Sequence, residues 1–416
     1  MISVVRGWVA AVAVVSVVTG CTATVSGTAV KAPGRPGVVD VALLDPGNYP
    51  TKPRNPLGNA GDDTTGAWAE ARRMADNVVG PWEADPDLTE FVQFDTGVVK
   101  DSSTVDSVIH EPIGQGVDGH HFITGFTTAR YTVKAIPYKG LTNAVLRFAT
   151  PEDAAAAAAD MNDKSAHLIE GRNLPPVPSQ PFAIPRHPDV GARTYEWNYK
   201  EDYLSEQVEV RHAVIAIIAH GPYVLCQWAA SVQSPDIAAQ MIATILDLQQ
   251  PLIDQFKPTP LDQLATLPLD PSGLVARTMP PSKTNETIND GIYNARGAVH
   301  MQTMNPTRTQ ALFKSAGLQQ SSYTVLINVY QLPDADAAAR IGAELASSAV
   351  DSKMLKSGGV KGMPDAKCFR TPKDPKQFQA FYCVAVADRY AFGVQDEHEA
   401  AAHQLIAAQY LMLTGK

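Results

Sequence analysis

Beyond its first twenty residues the chain has no apolar run long enough to cross a bilayer as a helix. The longest, residues 213–219, is strand-sized, against the roughly 20 residues that a span needs. Basic clusters are missing too: 34 Lys and Arg stand against 43 Asp and Glu, a formal charge of −9. Phosphate contacts need clustered cations, so nucleic acid is discounted as a partner. Enzyme signatures are equally scarce. There is no G-x-S-x-G elbow and no phosphate-binding loop. His398 and His403 stand five residues apart, about 140° around a helix, where the zinc-protease motif needs four, about 40°. Gly114, Gly116 and Gly119 spell a dinucleotide fingerprint, but Pro112 precedes them, a β-like run follows at 121–126, and no acid stands about twenty residues on. His110, Asp118, His120 and His121 make no convincing metal site, because adjacent histidines on a strand point to opposite faces. No cofactor or metal is therefore expected. A triad assembled from distant Ser, His and Asp stays open, since such sites are recognised by geometry.

The chain does carry an address. A mostly apolar stretch at residues 8–18, with Arg6 on its amino side, runs into Val18-Thr19-Gly20-Cys21. Eleven residues make roughly 17 Å of helix against about 30 Å of hydrocarbon, too little to span. Residues 1–20 read as a signal peptide with a lipoprotein cleavage box, and Cys21 as the lipidated amino terminus of the exported chain. Several acyl chains, palmitate among them, would hold it on the outer face of the plasma membrane. Residues 21–37, rich in Thr, Ala, Gly, Val and Pro, read as a flexible tether with a reach of roughly 20 to 24 Å.

Of the four cysteines, Cys226, Cys368 and Cys383 remain after Cys21, and an odd number leaves one unpaired in a monomer. Cys368 and Cys383 sit in short strand-like pieces on either side of a polar, proline-containing loop, so antiparallel pairing favours a disulfide between them. Cys226, in YVLCQWAAS, reads as a strand-core cysteine.

Residues 44–54, LDPGNYPTKPR, read as an extended strap, and a helix is expected from about residue 65 to 79 with Gly80-Pro81 as its stop. With EARRMADNVVGPWE at residues 70–83, that strap resembles the amino-terminal part of a family of mycobacterial and nocardial lipoproteins that carry domains of unknown function. The resemblance implies a cell-envelope address in an actinobacterium; it supplies no catalytic residues.

Farther on, a strand ending at Phe148, Pro151 and an Ala-rich helix are followed by a hairpin about Gly221-Pro222 and a helix at 235–256. The same order of strand, helix, hairpin and helix returns at 326–331, 333–346, 382–394 and 397–413. The expected fold is α+β in two similar halves, each an antiparallel sheet with helices packed on one face. An amino-terminal domain at 38–257, a proline-rich linker at 258–271 and a carboxy-terminal domain at 272–416 follow, with the halves as separate folding units. In Tyr195, Trp197 and Tyr199, alternation gives a strand an aromatic face that reads first as sheet packing. Functionally, a membrane-tethered, non-enzymatic module that binds a small ligand or an envelope protein is the preferred reading. The alternative is an envelope hydrolase acting on lipid or glycan, which a pocket lined by paired carboxylates would favour.

Overall fold

The computed structural model describes residues 37–169, 176–200, 206–373 and 379–416. The expected signal peptide, Cys21 and the tether up to residue 36 lie outside the described residues. Among the described residues no helix is long and apolar enough to cross a membrane.

In the first half, helices α1 (Asp63–Met74) and α2 (Pro81–Ala84) lead into strands β1 (Leu88–Phe91) and β2 (Gly97–Val99), then α3 (Ser102–Val108). Two long strands, β3 (Phe122–Thr132) and β4 (Lys139–Phe148), precede α4 (Pro151–Lys164). Strands β5 (Ser179–Pro181), β6 (Gly191–Tyr199), β7 (Glu209–His220) and β8 (Tyr223–Ser231) complete the sheet, and α5 (Pro235–Ile253) closes the half. Local chemistry sets these bounds. Thr150 accepts the Asp153 N–H at 3.0 Å and Pro151 occupies the first helical position of α4, where its missing N–H costs nothing.

The second half runs β9 (Gly291–Tyr293), α6 (Ala295–His300), α7 (Pro306–Ala316), β10 (Gln320–Tyr323), β11 (Ile327–Gln331), α8 (Ala335–Asp351), β12 (Leu355–Lys356), β13 (Lys367–Arg370), β14 (Phe381–Ala387), β15 (Tyr390–Asp396) and α9 (Glu399–Thr414). Asn305 caps α7 by accepting the Arg308 N–H, and Gly317 ends it at φ 69°, in the left-handed region that glycine enters freely.

The first sheet has the order β1-β3-β4-β8-β7-β6-β5, with β2 beside β3; the second reads β9-β10-β11-β15-β14-β13-β12 from its other end. Every pairing is antiparallel. Strand for strand, β3, β4, β8, β7, β6 and β5 correspond to β10, β11, β15, β14, β13 and β12, while α4 and α5 correspond to α8 and α9. The recurrence of elements is thus a recurrence of topology, and the two-sheet α+β layout is the one expected. Each sheet carries apolar packing on both faces, one layer more than the pattern required. On the first sheet, Ala144, Ile215 and Cys226 face α3 and α4, while Val145, Val214 and Leu225 face α5. Strands covered on both sides read as near-continuous apolar runs.

A single middle core joins the halves. Met74, Phe126, Leu225 and Ile242 share it with Tyr293, Phe313, Tyr330 and Ile341. Across this seam the fully buried Arg130 donates to the carbonyls of His300 at 3.2 Å and Gln302 at 2.6 Å, near the carboxyl end of α6. Residues 258–271 lie against α1: Leu264 is buried, and a Cβ on Gly66 would meet its carbonyl oxygen at 2.2 Å. Residues 38–54 lie on the second half. Val39, Val41, Leu44 and Tyr49 pack against its outer core, and the Arg54 N–H donates to Ala276 O at 2.9 Å.

Candidate functional site

On the first sheet, period-two alternation sends Tyr195 and Trp197 of β6, Arg211 of β7, Trp228 of β8, Thr142 of β4 and Tyr131 of β3 to one face. Helices α3 and α4 cover the other end of that face. Where they stop, these side chains, Arg211 excepted, floor a groove of about 360 Å³, within the usual range for small-ligand sites. Asp95, Asp106, His110 and Glu111 contribute its polar wall, and among the described residues no Lys or Arg lines it.

The floor is rigid. Trp197 meets Trp228 and Tyr199 edge-on, each with ring centroids 5.4 Å apart, and Tyr131 meets Tyr138 at 5.5 Å. The Trp228 indole N–H donates to the Tyr195 hydroxyl at 2.9 Å, which fixes the ring while leaving its edge in the groove. Beside the floor, the Arg211 guanidinium carbon lies 3.4 Å from the Tyr138 centroid, 3.6 Å from Tyr199 and 4.9 Å from Trp197. The one position where these rings would hold a cation is therefore filled by the chain's own. Arg211 also donates through Nε to Glu209 at 2.6 Å, and a wider, open cavity of about 880 Å³ lies on that side, with Lys134 at its rim.

Both wall aspartates hold their protons unusually tightly. Burial pushes Asp95 up to about 6, against the pull of a hydrogen bond from the Tyr131 hydroxyl. Asp106 also stands at about 6, chiefly through burial; the Gly114 N–H, donated to it at 2.5 Å, lowers it, and the charges of Glu111 and Asp118 add to the rise. The Tyr131 phenol is pushed up to about 12 by burial and by neighbouring Asp95. Perturbed carboxylates in a cleft beside aromatic rings are the usual mark of a functional site.

Other residues singled out by sequence fall elsewhere. Cys368 and Cys383 are directly opposite on β13 and β14 and form a disulfide, as expected. Cys226 is a buried free cysteine on β8. Ligand atoms of Cys368, Cys383 and His403 lie within 4.8 Å of one another, but with both sulfurs bonded the trio offers no thiolate. His120 and His121 face separate acids, Asp160 at 2.7 Å and Asp153 at 2.9 Å. The glycines at 114, 116 and 119 belong to a 3₁₀ turn at Ile113–Val117 and its exit, packed against α4. The aromatic alternation of β6 was visible in the sequence; Asp95 and Asp106 were not, because they lie in loop-rich sequence without a motif.

A family described as Domain of unknown function (DUF7373) matches with its N-terminal domain over residues 57–269 and its C-terminal domain over residues 274–416. No curated protein matches. Among solved structures, the extracellular domain of PknH from Mycobacterium tuberculosis is similar at 13% identity over 38% of this chain and 79% of its own, with a TM-score of 0.26.

Proposed function

The chain belongs to the DUF7373 family, both of whose domains it carries, and we propose that it is a non-enzymatic binding module whose groove takes a neutral saccharide. The observation that carries this reading is the pairing of an aromatic floor with an acidic wall, without a cation among the described residues. A sugar ring offers a face of C–H groups to Trp197 and a rim of hydroxyls to Asp95, Asp106 and Glu111. Anionic ligands would meet carboxylates with no counter-charge among the described residues, and a cationic ligand would find the aromatic cage occupied by Arg211.

The alternative, a glycan hydrolase, draws on the same two aspartates, since glycosidases work with paired carboxyl groups. Against it, Asp95 and Asp106 are each engaged by the chain's own donors, Tyr131 and Gly114. Titration calorimetry with neutral oligosaccharides, followed by mass spectrometry of the mixture, separates the readings. Saturable binding without cleavage, weakened about tenfold or more by Trp197→Ala, is expected. Cleavage products would favour the hydrolase; absence of binding to any neutral saccharide, or binding indifferent to Trp197→Ala, would sink the groove as the site.

The proposal extends to address. The lipobox at Val18 to Cys21 and the resemblance to mycobacterial and nocardial lipoproteins support a lipid-anchored envelope protein on the outer face of the membrane. Cys21→Ala should release the protein from the membrane fraction or leave it unprocessed; a variant still acylated and membrane-bound would refute the anchor.

A further inference from the structure

At the seam between the halves, under α8, lies a further cavity of about 240 Å³. Its roof is one face of α8, where Leu345, Ser348 and Ala349 recur at helical spacing and Ser352, which caps the helix, continues the row. Small residues there leave the space open. Its floor is the inner face of the second sheet, with Asn328 and Tyr330 on β11 and Tyr382 on β14. Tyr382 lies across Gly393, where a Cβ would stand 2.5 Å from the phenol oxygen, so the absent side chain is what admits the ring. Phe91 and Gln93 of the first half close one side, and Met301, Met304 and Met354 supply pliable walls.

Two features define what such a cavity can hold. First, among the described residues that line it, not one is Asp, Glu, Lys, Arg or His. A charged ligand would lose its hydration with no partner to offset the loss, which disfavours it strongly. Second, Asn328 Oδ1 is shut off from solvent and accepts no hydrogen bond. The neighbouring amide of Gln302 is committed, accepting from Tyr330 Oη at 2.6 Å and donating to Ala298 O at 3.0 Å. A buried acceptor left unpaired is a standing cost that a ligand donor would relieve.

We infer that the seam cavity binds an uncharged, largely apolar molecule carrying one hydroxyl or N–H donor, which it presents to Asn328 Oδ1. The site is separate from the saccharide groove and does not depend on that reading. Because the ligand would touch both halves, it would also strengthen their contact.

N-phenyl-1-naphthylamine, neutral and apolar with a single N–H, is a suitable probe for the full exported chain. Its fluorescence should rise saturably with one molecule bound, and decanol should displace it while decanoate should not. Asn328→Leu should weaken the probe about tenfold yet leave its N-methylated analogue unchanged. Ser348→Phe, which fills the cavity, and Ser352→Trp at its rim should each abolish the signal in protein whose circular dichroism matches the parent. Trp197→Ala should leave it intact. No saturable signal from the parent, equal competition by decanoate, or equal loss of both probes in Asn328→Leu would overturn the assignment.

Discussion

The carboxylate of Glu70, wholly buried in α1, accepts the backbone N–H of Thr259 at 2.7 Å. Its second oxygen accepts the Thr259 hydroxyl at 2.9 Å, and Arg147 of β4 donates to Glu70 at 2.7 Å while holding Thr259 O at 2.6 Å. Arg73 completes the cluster. The proline-rich residues between the halves are thus fastened to the first half by a buried, fully coordinated ion.

Removing that charge should be costly. In Glu70→Gln the shape is kept but Arg147 is left buried without its counter-ion, a loss of about 3 kcal/mol or more. Urea unfolding should show a lower midpoint, and proteases should cut at residues 258–271 sooner than in the parent. An unchanged midpoint and cleavage rate would mean that the cluster contributes nothing net.

Arg130 ties the two halves in the same way, without a carboxylate. Its guanidinium donates to Thr89 O at 3.2 Å and to the carbonyls at the end of α6, and it lies over the rings of Phe91 at 4.9 Å and Trp82 at 5.5 Å. Positive charge at a helix carboxyl end is favourable, and each carbonyl stranded by Arg130→Met costs its desolvation, together about 3 kcal/mol. Since the middle core also crosses the seam, parent protein should unfold in one transition. A fragment of residues 272–416 should expose Tyr293, Phe313 and Tyr330 and fail to fold. A stable, monomeric fragment would instead support the reading of two separate folding units.

That reading came from element order and prolines, and it illustrates what sequence patterns reveal. Periodicity reports which residues turn inward, so the strands, the capped helices around Pro151 and Asn305, and the twofold recurrence were legible. What lies opposite an inward face is a tertiary fact. Val145 and Ile341 carry no mark that they share one core, and Thr259 none that it meets Glu70. The Cys368–Cys383 pair was legible because a hairpin brings near neighbours together. The groove was half legible: Tyr195, Trp197 and Tyr199 announce an aromatic face, but Tyr131 and Trp228 join them only through sheet register, and Asp95 and Asp106 only through loops.

His300 should make the fold acid-sensitive. It is fully buried, with Nδ1 at 3.0 Å from the Thr128 hydroxyl and Nε2 at 3.1 Å from Val78 O. Burial, then the charges of Arg296 and Arg130, lower it from the ordinary 6.5 to about 3. The unfolded chain therefore takes up a proton below about 6.5 that the native state refuses until about 3. Its contribution is present above the unfolded value and is lost as pH falls through that window, on the order of 5 kcal/mol in full. His300→Asn sacrifices a hydrogen bond but cannot protonate, so its deficit against the parent should shrink between pH 7 and pH 4. A constant deficit in urea midpoints across that range would show that His300 does not titrate as its surroundings dictate.

Asp95 and Asp106 carry the opposite sign. Each has a folded value of about 6, above the roughly 4 of an unfolded aspartate, so the native state favours the protonated form. The stability they contribute is fully present below about 4 and is lost as pH rises through 6. Asn at either position retains an oxygen to accept from Tyr131 or Gly114 and carries no charge to desolvate. Asp95→Asn should therefore gain about 2 kcal/mol at pH 7.5 and nothing at pH 4, and Asp106→Asn should move the same way. Saccharide affinity should respond in reverse. Sugar hydroxyls donate best to ionised carboxylates, so binding by the parent should strengthen as pH climbs from 5 to 7, while both variants bind more weakly and with a flat profile. A buried charge that weakens the fold while strengthening binding is one retained for the ligand. If the variants gain stability but bind as the parent does, the two aspartates are ordinary strained acids and the groove does not use them.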